Sequence, residues 1–132
     1  MQELDQLTQE LYSCVCFKKG EHPDLERLKT LFYKGGKLIN NSGTEPKAYT
    51  AEQFCQEVMQ QVKSKAIEAF QEKEVSHKTE VFGKVAHRFS TYEARFEEDS
   101  TDPFVVGVNC IQFIQVDGKW LISSMAWDDE TK

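Results

Sequence analysis

The sequence predicts an α+β domain in which three N-terminal helices pack on a long, curved antiparallel meander sheet to form a cone. Two observations lead to this fold class. Apolar residues recur at helical spacing before Phe70 and at a spacing of two after it. Three turn signals then divide the rest of the chain: Gly83-Lys84, the run from Glu97 to Pro103, and Asp117-Gly118. Because every connection after Phe70 is short, the strands are expected to follow one another as a meander.

Two helices are expected before the first strand. The first has an apolar stripe at steps of three and four residues, formed by Leu4, Leu7, Leu11 and Val15. Gly20 is expected to end it. A second, shorter helix opens at Pro23, because proline is favoured at the first helical position. Its buried face is formed by Leu25, Leu28 and either Leu31 or Phe32, and Gly35-Gly36 is expected to stop it.

The third helix has the clearest local signature. A short strand, Lys37 to Asn40, and a loop over residues 41–46 precede it. Thr50 and Gln53 stand three residues apart, as in a capping box, and Tyr49 is placed to pack on Phe54 across it. These pairs predict that a helix begins after Thr50.

Four strands are predicted near residues 71–82, 84–96, 104–116 and 119–128. The longest would extend about 40 Å at about 3.3 Å per residue, which is too long to lie flat in a small domain. The strands are therefore expected to twist and bend through β-bulges. Helices against one face of a bent meander leave a wedge-shaped hollow, and this hollow is the predicted ligand site.

Length and composition bound the organisation of the chain. With 132 residues, of which 39% are hydrophobic, residues 1–132 are expected to form a single domain. The formal net charge of −6, with Lys and Arg scattered among acids, argues against a nucleic-acid partner. No stretch approaches the roughly 20 apolar residues of a membrane span, and the acidic N-terminus does not resemble a signal peptide. We therefore expect a cytoplasmic protein with no membrane partner.

The four cysteines do not predict a metal or redox site. Cys14 and Cys16 stand two apart on a helix and so point in nearly opposite directions, which prevents them from chelating one ion. Cys55 and Cys110 stand alone in apolar settings. We expect all four to be small buried side chains, and we predict neither a metal nor a cofactor.

Three pieces of the second half carry a family resemblance. They read FGKVAHRFSTYEAR at 82–95, GVNCIQF at 107–113, and DGKWLI at 117–122 with WDDE at 127–130. They are similar to the pattern of a bacterial group without an established activity, F-G-x-x-A-H-x-F-S-T-Y-E-x-R followed by R-G-x-N-S-x-Q and D-G-x-R-W. With the order of helices and strands over essentially the whole chain, they resemble the nuclear transport factor 2-like superfamily, whose cone is also called the cystatin-like fold.

The resemblance does not choose a function. The superfamily includes ketosteroid isomerase, scytalone dehydratase, limonene-epoxide hydrolase and polyketide cyclases, beside pure binding and dimerisation modules. The sequence departs from the group's pattern where Val106 replaces Arg and Cys110 replaces Ser. Isomerase-like members carry an acidic base near the end of the first strand. This region carries Asn40 here, and because an amide cannot act as a base at neutral pH, the isomerase mechanism does not transfer.

His87 is the candidate catalytic residue. It shares side-chain parity with Val85, Phe89, Thr91 and Glu93. Lys84 and Arg88 have the opposite parity, which indicates that the odd positions face the hollow. A histidine there could move a proton near neutral pH. The alternative is a core histidine that is hydrogen-bonded to a cross-strand neighbour.

Six further residues are expected to bind a ligand: Tyr12, Asn40, Thr91, Glu93, Asn109 and Trp127. Asn109 lies in an apolar run and is either a pocket hydrogen-bonder or a satisfied structural amide. Glu93 either binds a polar group together with Arg95 or forms a structural ion pair with it. Trp127 and Trp120 have opposite parity, so they share a wall only if a bulge intervenes.

Acidic residues of the first long strand are expected to lie at the surface. Glu72, Glu74 and Glu80 share a parity with Lys78. This pattern predicts a solvated or interfacial face rather than a site.

Three functions follow from these observations. The first is a domain that binds a small hydrophobic molecule between the helices and the curved sheet. The second is an enzyme of isomerase, dehydratase or cyclase type, with His87 carrying a proton on a hydrophobic compound. The third is a non-catalytic dimerisation module. A homodimer through the exposed sheet face is compatible with all three, because helices that cover one face leave the other free.

Overall fold

Residues 2–96 and 102–130, described here by a computed structural model, form a six-stranded sheet with three helices on one face. The helices are α1 (Gln2–Val15), α2 (Leu25–Thr30) and α3 (Ala51–Lys63). The strands are β1 (Phe32–Asn40), β2 (Lys47–Thr50), β3 (Gln71–Phe82), β4 (Val85–Arg95), β5 (Val105–Val116) and β6 (Lys119–Asp129). Their order across the sheet is β2-β1-β6-β5-β4-β3. No helix in the described ranges has the length and apolar character that a membrane crossing requires.

The predicted meander is confirmed strand for strand. β3 to β6 begin and end within two residues of the predicted ranges, and each pairs antiparallel with the next. Asp117 and Gly118 both have positive φ, 52° and 78°, as the two-residue hairpin turn between β5 and β6 requires. The predicted turn from Glu97 to Pro103 falls largely on residues 97–101, which lie outside the described residues.

The N-terminal end of α3 is also confirmed. The Gln53 amide donates to Thr50 Oγ1 at 3.1 Å, and the Thr50 amide donates to Gln53 Oε1 at 3.0 Å, which completes the capping box. The rings of Tyr49 and Phe54 lie 6.1 Å apart across it. Local sequence therefore determines where this helix begins.

Several predictions for the N-terminal half are wrong. α1 ends at Val15 rather than at Gly20, and α2 begins at Leu25, with Asp24 as its N-cap, rather than at Pro23. α2 ends at Thr30 rather than at Gly35-Gly36, because Phe32 starts a strand that pairs with Ile122 of β6. β1 runs parallel to β6, and an additional strand, β2, pairs with β1, so the sheet is mixed rather than wholly antiparallel. The three helices are consequently not contiguous, since α3 follows two strands. Pairing with a strand distant in sequence overrides the local helical pattern here.

The predicted parity of β4 is wrong as well. Its buried side chains are the even-numbered ones, Ala86, Arg88, Ser90, Tyr92 and Ala94, and they face the helices. Arg88 is 1% exposed, so a basic side chain did not mark the outer face. It lies inside because two carboxylates, Glu74 and Asp5, neutralise it.

Each of two β-bulges reverses which side chains of its strand face the helices. In β3, Glu74 pairs with Tyr92 and Ser76 with Thr91, so Val75 is an extra residue. In β6, Ser123 is the extra residue, because Gln112 pairs with Ser124 and Phe113 pairs with Ile122. The long strands therefore bend through bulges, as predicted.

Gly118 should not tolerate a side chain. Its φ of +78° is a conformation that costs an L-residue about 1–2 kcal/mol. We predict that Gly118→Ala lowers the free energy of unfolding by about 1 kcal/mol, measured by urea denaturation. Gly43→Ala is the matched control, since no atom lies within 4 Å of its added Cβ and its φ lies outside the left-handed range. Equal effects of the two substitutions would show that the turn geometry is not the cause.

Candidate ligand-binding cavity

A cavity of about 290 Å³ lies between the helices and the inner face of the sheet. Its walls are mainly apolar. The helices contribute Leu11, Val15, Leu28, Phe54, Val58 and Val62, and the sheet contributes Leu38, Met125 and Trp127. The volume is at the lower end of the range for small-molecule sites, roughly 300–1,000 Å³, so a small organic compound fits.

Aromatic rings form one wall of the cavity. Phe54 and Trp127 meet edge to face with ring centroids 6.1 Å apart, and Tyr49 packs on the other side of Phe54. Such contacts hold rings in defined orientations. The bulge at Ser123 places Trp120 and Trp127 on the same face of β6, where both pack against the core, and Trp127 lines the cavity.

Glu72, the second residue of β3, is an acidic residue of the cavity lining. The end of α1 is joined to this part of β3 by a bridge between Phe17 and Phe70, with N–O distances of 2.9 and 3.0 Å. The Cys16 thiol adds contacts of 3.3 Å with the backbone nitrogen and oxygen of Glu72. These links fix the Glu72 backbone while its side chain lines the cavity.

The Glu72 carboxyl is strongly perturbed. Burial raises its pKa from the ordinary value of 4.5 to about 8, and the negative charge of Asp129 contributes in the same direction. The Glu72 side chain is half-buried and lines the cavity. No hydrogen bond or ion pair of its carboxyl is found within the described residues. A carboxyl with a pKa of about 8 is mostly protonated at neutral pH.

Tyr92 and Asp129 form the wall beside Glu72. The Tyr92 hydroxyl donates to Asp129 Oδ1 at 2.6 Å, and burial together with this bond raises the pKa of Tyr92. The pair depends on Gly107. A Cβ there would lie 2.5 Å from Tyr92 Oη and 2.7 Å from Asp129 Oδ1, so only glycine permits the approach.

A buried hydrogen-bond chain leads from the cavity into the protein. Asn109 Nδ2 donates to Tyr12 Oη at 3.0 Å, and Tyr12 Oη lies 2.6 Å from Ser90 Oγ. Because Ser90 donates its own proton to Glu74, the Tyr12 hydroxyl must donate to Ser90. Burial raises the pKa of Tyr12 to about 12, so the hydroxyl keeps its proton near neutral pH.

Arg88 ends this chain with full charge pairing. It donates to both carboxylate oxygens of Glu74, at 2.6 and 3.0 Å, and to Asp5 at 2.7 Å. The Arg88 hydrogen bond lowers the pKa of Asp5. Glu72 and Glu74 thus lie on the same face of one strand in different surroundings. Among the described residues, only Glu74 has a cationic partner.

Four of the predicted site residues lie at or next to the cavity. Asn40, Asn109 and Trp127 line it. Asn109 also donates to Tyr12, as the alternative of a satisfied structural amide requires. Tyr12 lies directly behind Asn109 and reaches the cavity through that hydrogen bond. The Asn40 side chain accepts from the backbone and hydroxyl of Ser42, which fixes the loop that follows β1.

The other three, His87, Thr91 and Glu93, lie on the opposite face of the sheet, because the inner face of β4 is the even-numbered one. His87 Nε2 lies 2.6 Å from Glu80 Oε1 of the neighbouring strand. It therefore cannot act on a molecule in the cavity. Glu93 and Arg95 form an ion pair at 3.1 Å, which was the structural alternative for these residues.

Sequence reasoning missed Glu72. A strict period of two groups Glu72 and Glu74 with Glu80, but the bulge at Val75 turns the first two inward and leaves Glu80 outside. The one sign of the bulge in the sequence is Val75 itself, the only apolar residue between Phe70 and Val81.

Two of the four cysteines are buried as expected. Cys14 and Cys55 lie in the core, and burial raises the pKa of the Cys55 thiol to about 11. Cys16 and Cys110 are only half-buried, so the expectation is wrong for them. The described part of the chain contains no group of three or more His, Cys, Asp or Glu placed to hold a metal ion.

Comparison with solved structures identifies the fold. A protein of unknown function with a cystatin-like fold from Nostoc punctiforme matches with a TM-score of 0.77 at 12% identity, over 99% of this chain and 91% of that one. A nuclear transport factor 2-like protein of unknown function from Pseudomonas putida matches with a TM-score of 0.76 at 8% identity, over 99% and 87%. A Novosphingobium aromaticivorans protein, provisionally named scytalone dehydratase, gives 0.68 at 11%, over 99% and 84%.

No protein-family model and no curated protein matches the sequence. The chain therefore has the nuclear transport factor 2-like fold that the resemblance implied. Identities this low establish the fold alone.

The Glu72 carboxyl should make stability fall as pH rises. Between pH 4.5 and about 8 the folded protein holds a proton that the unfolded chain releases. Stability falls through that interval by at most about 1.4 kcal/mol per pH unit and is level above it. We predict that Glu72→Gln matches the unchanged protein near pH 5 and is more stable at pH 8.5, measured by urea denaturation.

Glu45→Gln, at an exposed loop position, is the matched control and should leave the pH dependence unaltered. Parallel stability curves for Glu72→Gln and the unchanged protein would contradict the raised pKa.

Proposed function

We propose that this chain, acting as a single domain, binds a small and mainly apolar molecule in the cavity between its helices and sheet. One observation carries the proposal: an apolar cavity of about 290 Å³ contains a carboxyl, Glu72, with no partner among the described residues. A hollow that served only as core would be filled by side chains. A carboxyl in a mainly apolar wall, with no partner among the described residues, is placed to contact a ligand in the cavity.

Acid–base catalysis at the same cavity is a second candidate. A carboxyl with a pKa of about 8 is suited to take up or release a proton near neutral pH. The group that supports this function is Glu72 rather than His87. A hydrophobic substrate would lie against the aromatic wall with its reacting atom toward Glu72.

Filling the cavity should abolish ligand binding. Val58 lines the cavity from α3, and we predict that Val58→Phe removes the rise in melting temperature produced by small compounds. The probes are a set of low-molecular-weight apolar ketones, alcohols, amines and carboxylic acids. The measurement is a thermal-shift titration of the full chain, followed by crystallography of any compound that stabilises it.

Val81→Phe makes the same substitution on β3 outside the cavity, where Val81 is 44% exposed, and should retain the response. If no compound stabilises the unchanged protein, or if Val58→Phe responds equally, the cavity is not a ligand site.

We also propose that the outer face of β4 and β5 pairs two copies of the chain. It exposes the apolar side chains of Val85, Phe89 and Val108. The surrounding outward positions carry both signs of charge, Lys73, Lys78 and Arg95 against Glu80, Glu93 and Asp128. Because the signs balance, two identical faces can meet around a two-fold axis without net repulsion.

Phe89 should be central to this interface, since it is 53% exposed in the middle of β4. We predict that the chain sediments as a dimer at micromolar concentration and that Phe89→Glu sediments as a monomer with an unchanged circular dichroism spectrum. Tyr33→Glu alters an aromatic of similar exposure on β1, away from this patch, and should remain dimeric. A monomeric parent protein would refute the pairing.

A further inference from the structure

The cavity lining carries charge of one sign. Among the described residues that line it, the charged ones are Glu57 and Glu72, and none is Lys, Arg or His. Glu57 is exposed and so lies where the cavity meets solvent, whereas Glu72 lies at the enclosed end. Asp129, behind Tyr92, adds a negative charge close to Glu72. A cationic group is therefore favoured in this cavity and an anionic group is disfavoured.

Two hydroxyl groups near Glu72 already donate their protons within the protein. The Tyr92 hydroxyl donates to Asp129, and the Tyr12 hydroxyl donates to Ser90. The Tyr92 oxygen, which lines the cavity, can therefore accept a hydrogen bond from a ligand group that supplies hydrogen atoms. An ammonium group has three donors and no acceptor.

We propose that the cavity takes a cationic amphiphile, an apolar body ending in one protonated amine, and that its ammonium group pairs with the Glu72 carboxylate. The inference rests on the proposed function and specifies the ligand class. The apolar body lies against Phe54, Val58 and Trp127, and the ammonium group supplies the partner that Glu72 lacks.

Binding is coupled to the release of one proton. Below pH 8 the empty site holds a protonated Glu72, which must give its proton to solvent before it pairs with ammonium. The titratable groups near it are Tyr12 on α1, Cys16 just after α1, Glu57 on α3, Glu74 on β3, Tyr92 on β4 and Asp129 on β6. Of these, Asp129 raises the pKa of Glu72. Affinity for an amine should therefore rise about tenfold per pH unit up to about pH 8 and level off above it.

A neighbouring groove favours the opposite ligand. It shares Phe17 and Ile67 with the cavity and is lined by Lys18, Lys19 and Lys65. An amphiphile whose head reached this groove would bind best as a carboxylate. The two sites therefore predict opposite preferences for the charge of the head group.

Three compounds with the same apolar body test the inference: 4-phenylbutylamine, 4-phenylbutan-1-ol and 4-phenylbutyrate. Their affinities for the full chain are measured by isothermal titration calorimetry at pH 6.5, 7.5 and 8.5, in two buffers of different ionisation enthalpy. At pH 8.5 the amine should bind at least about tenfold more tightly than the alcohol, and the carboxylate more weakly than both. From pH 6.5 to 7.5 the amine affinity should rise about tenfold with release of about one proton, while the alcohol affinity stays constant.

Two variants assign the preference to its residue. Glu72→Gln should lose both the preference for the amine and the pH dependence of amine binding, and an unchanged circular dichroism spectrum shows that the variant folds. Glu57→Gln removes the exposed acid of the lining and should retain most of the preference for the amine.

The outcomes separate this inference from the function on which it rests. If the alcohol or the carboxylate binds as tightly as the amine, or if the amine affinity does not change with pH, the ligand class is wrong and the binding function stands. If none of the three binds and Val58→Phe changes nothing, both are wrong.

Discussion

One extra residue in β3 determines what the cavity contains. Side chains of a strand alternate between its faces, so the bulge at Val75 exchanges the faces of everything on one side of it. Glu72 and Glu74 consequently face the helices, whereas Glu80 faces outward beside His87. The bulge at Ser123 does the same for β6 and brings Trp120 and Trp127 onto one face. Without the bulge at Val75, strict alternation from Glu80 would turn Glu72 outward and away from the cavity.

The two inward carboxyls show how position on one strand separates structural from functional chemistry. Glu74 receives two hydrogen bonds from Arg88 and one from Ser90, so its charge is part of the scaffold. Glu72 lies two residues earlier, beyond the reach of that guanidinium, and next to the negative charge of Asp129. The buried chain through Tyr12 and Asn109 then satisfies the remaining polar groups, which leaves Glu72 as the group available to a ligand.

Sequence reasoning predicted the fold well where local signals determine structure. The capping box at Thr50, the turn at Asp117-Gly118 and the limits of the four long strands need no information about distant residues. It failed where pairing between distant residues decides. The start of β1 at Phe32 depends on β6, and the burial of Arg88 depends on carboxylates from α1 and β3.

The candidate site was predictable only in part for the same reason. Asn40 was indicated by the family resemblance and Asn109 by its place as an amide in an apolar run, and both line the cavity together with Trp127. His87 was placed inside because Arg88 was read as an outward cation, and Glu72 was placed outside because a bulge leaves almost no trace in a polar strand.

The proposed ligand site depends on the Glu72 carboxyl, which lines the cavity without a partner among the described residues and has a raised pKa. The most direct test is a carbon-13 nuclear magnetic resonance titration of the side-chain carboxyls, with the Glu72 signal assigned from Glu72→Gln. A midpoint at about pH 8 in the ligand-free protein is the expected result. A midpoint near 4.5, the ordinary value for glutamate, would contradict it, because the carboxyl would then be solvated or paired within the protein.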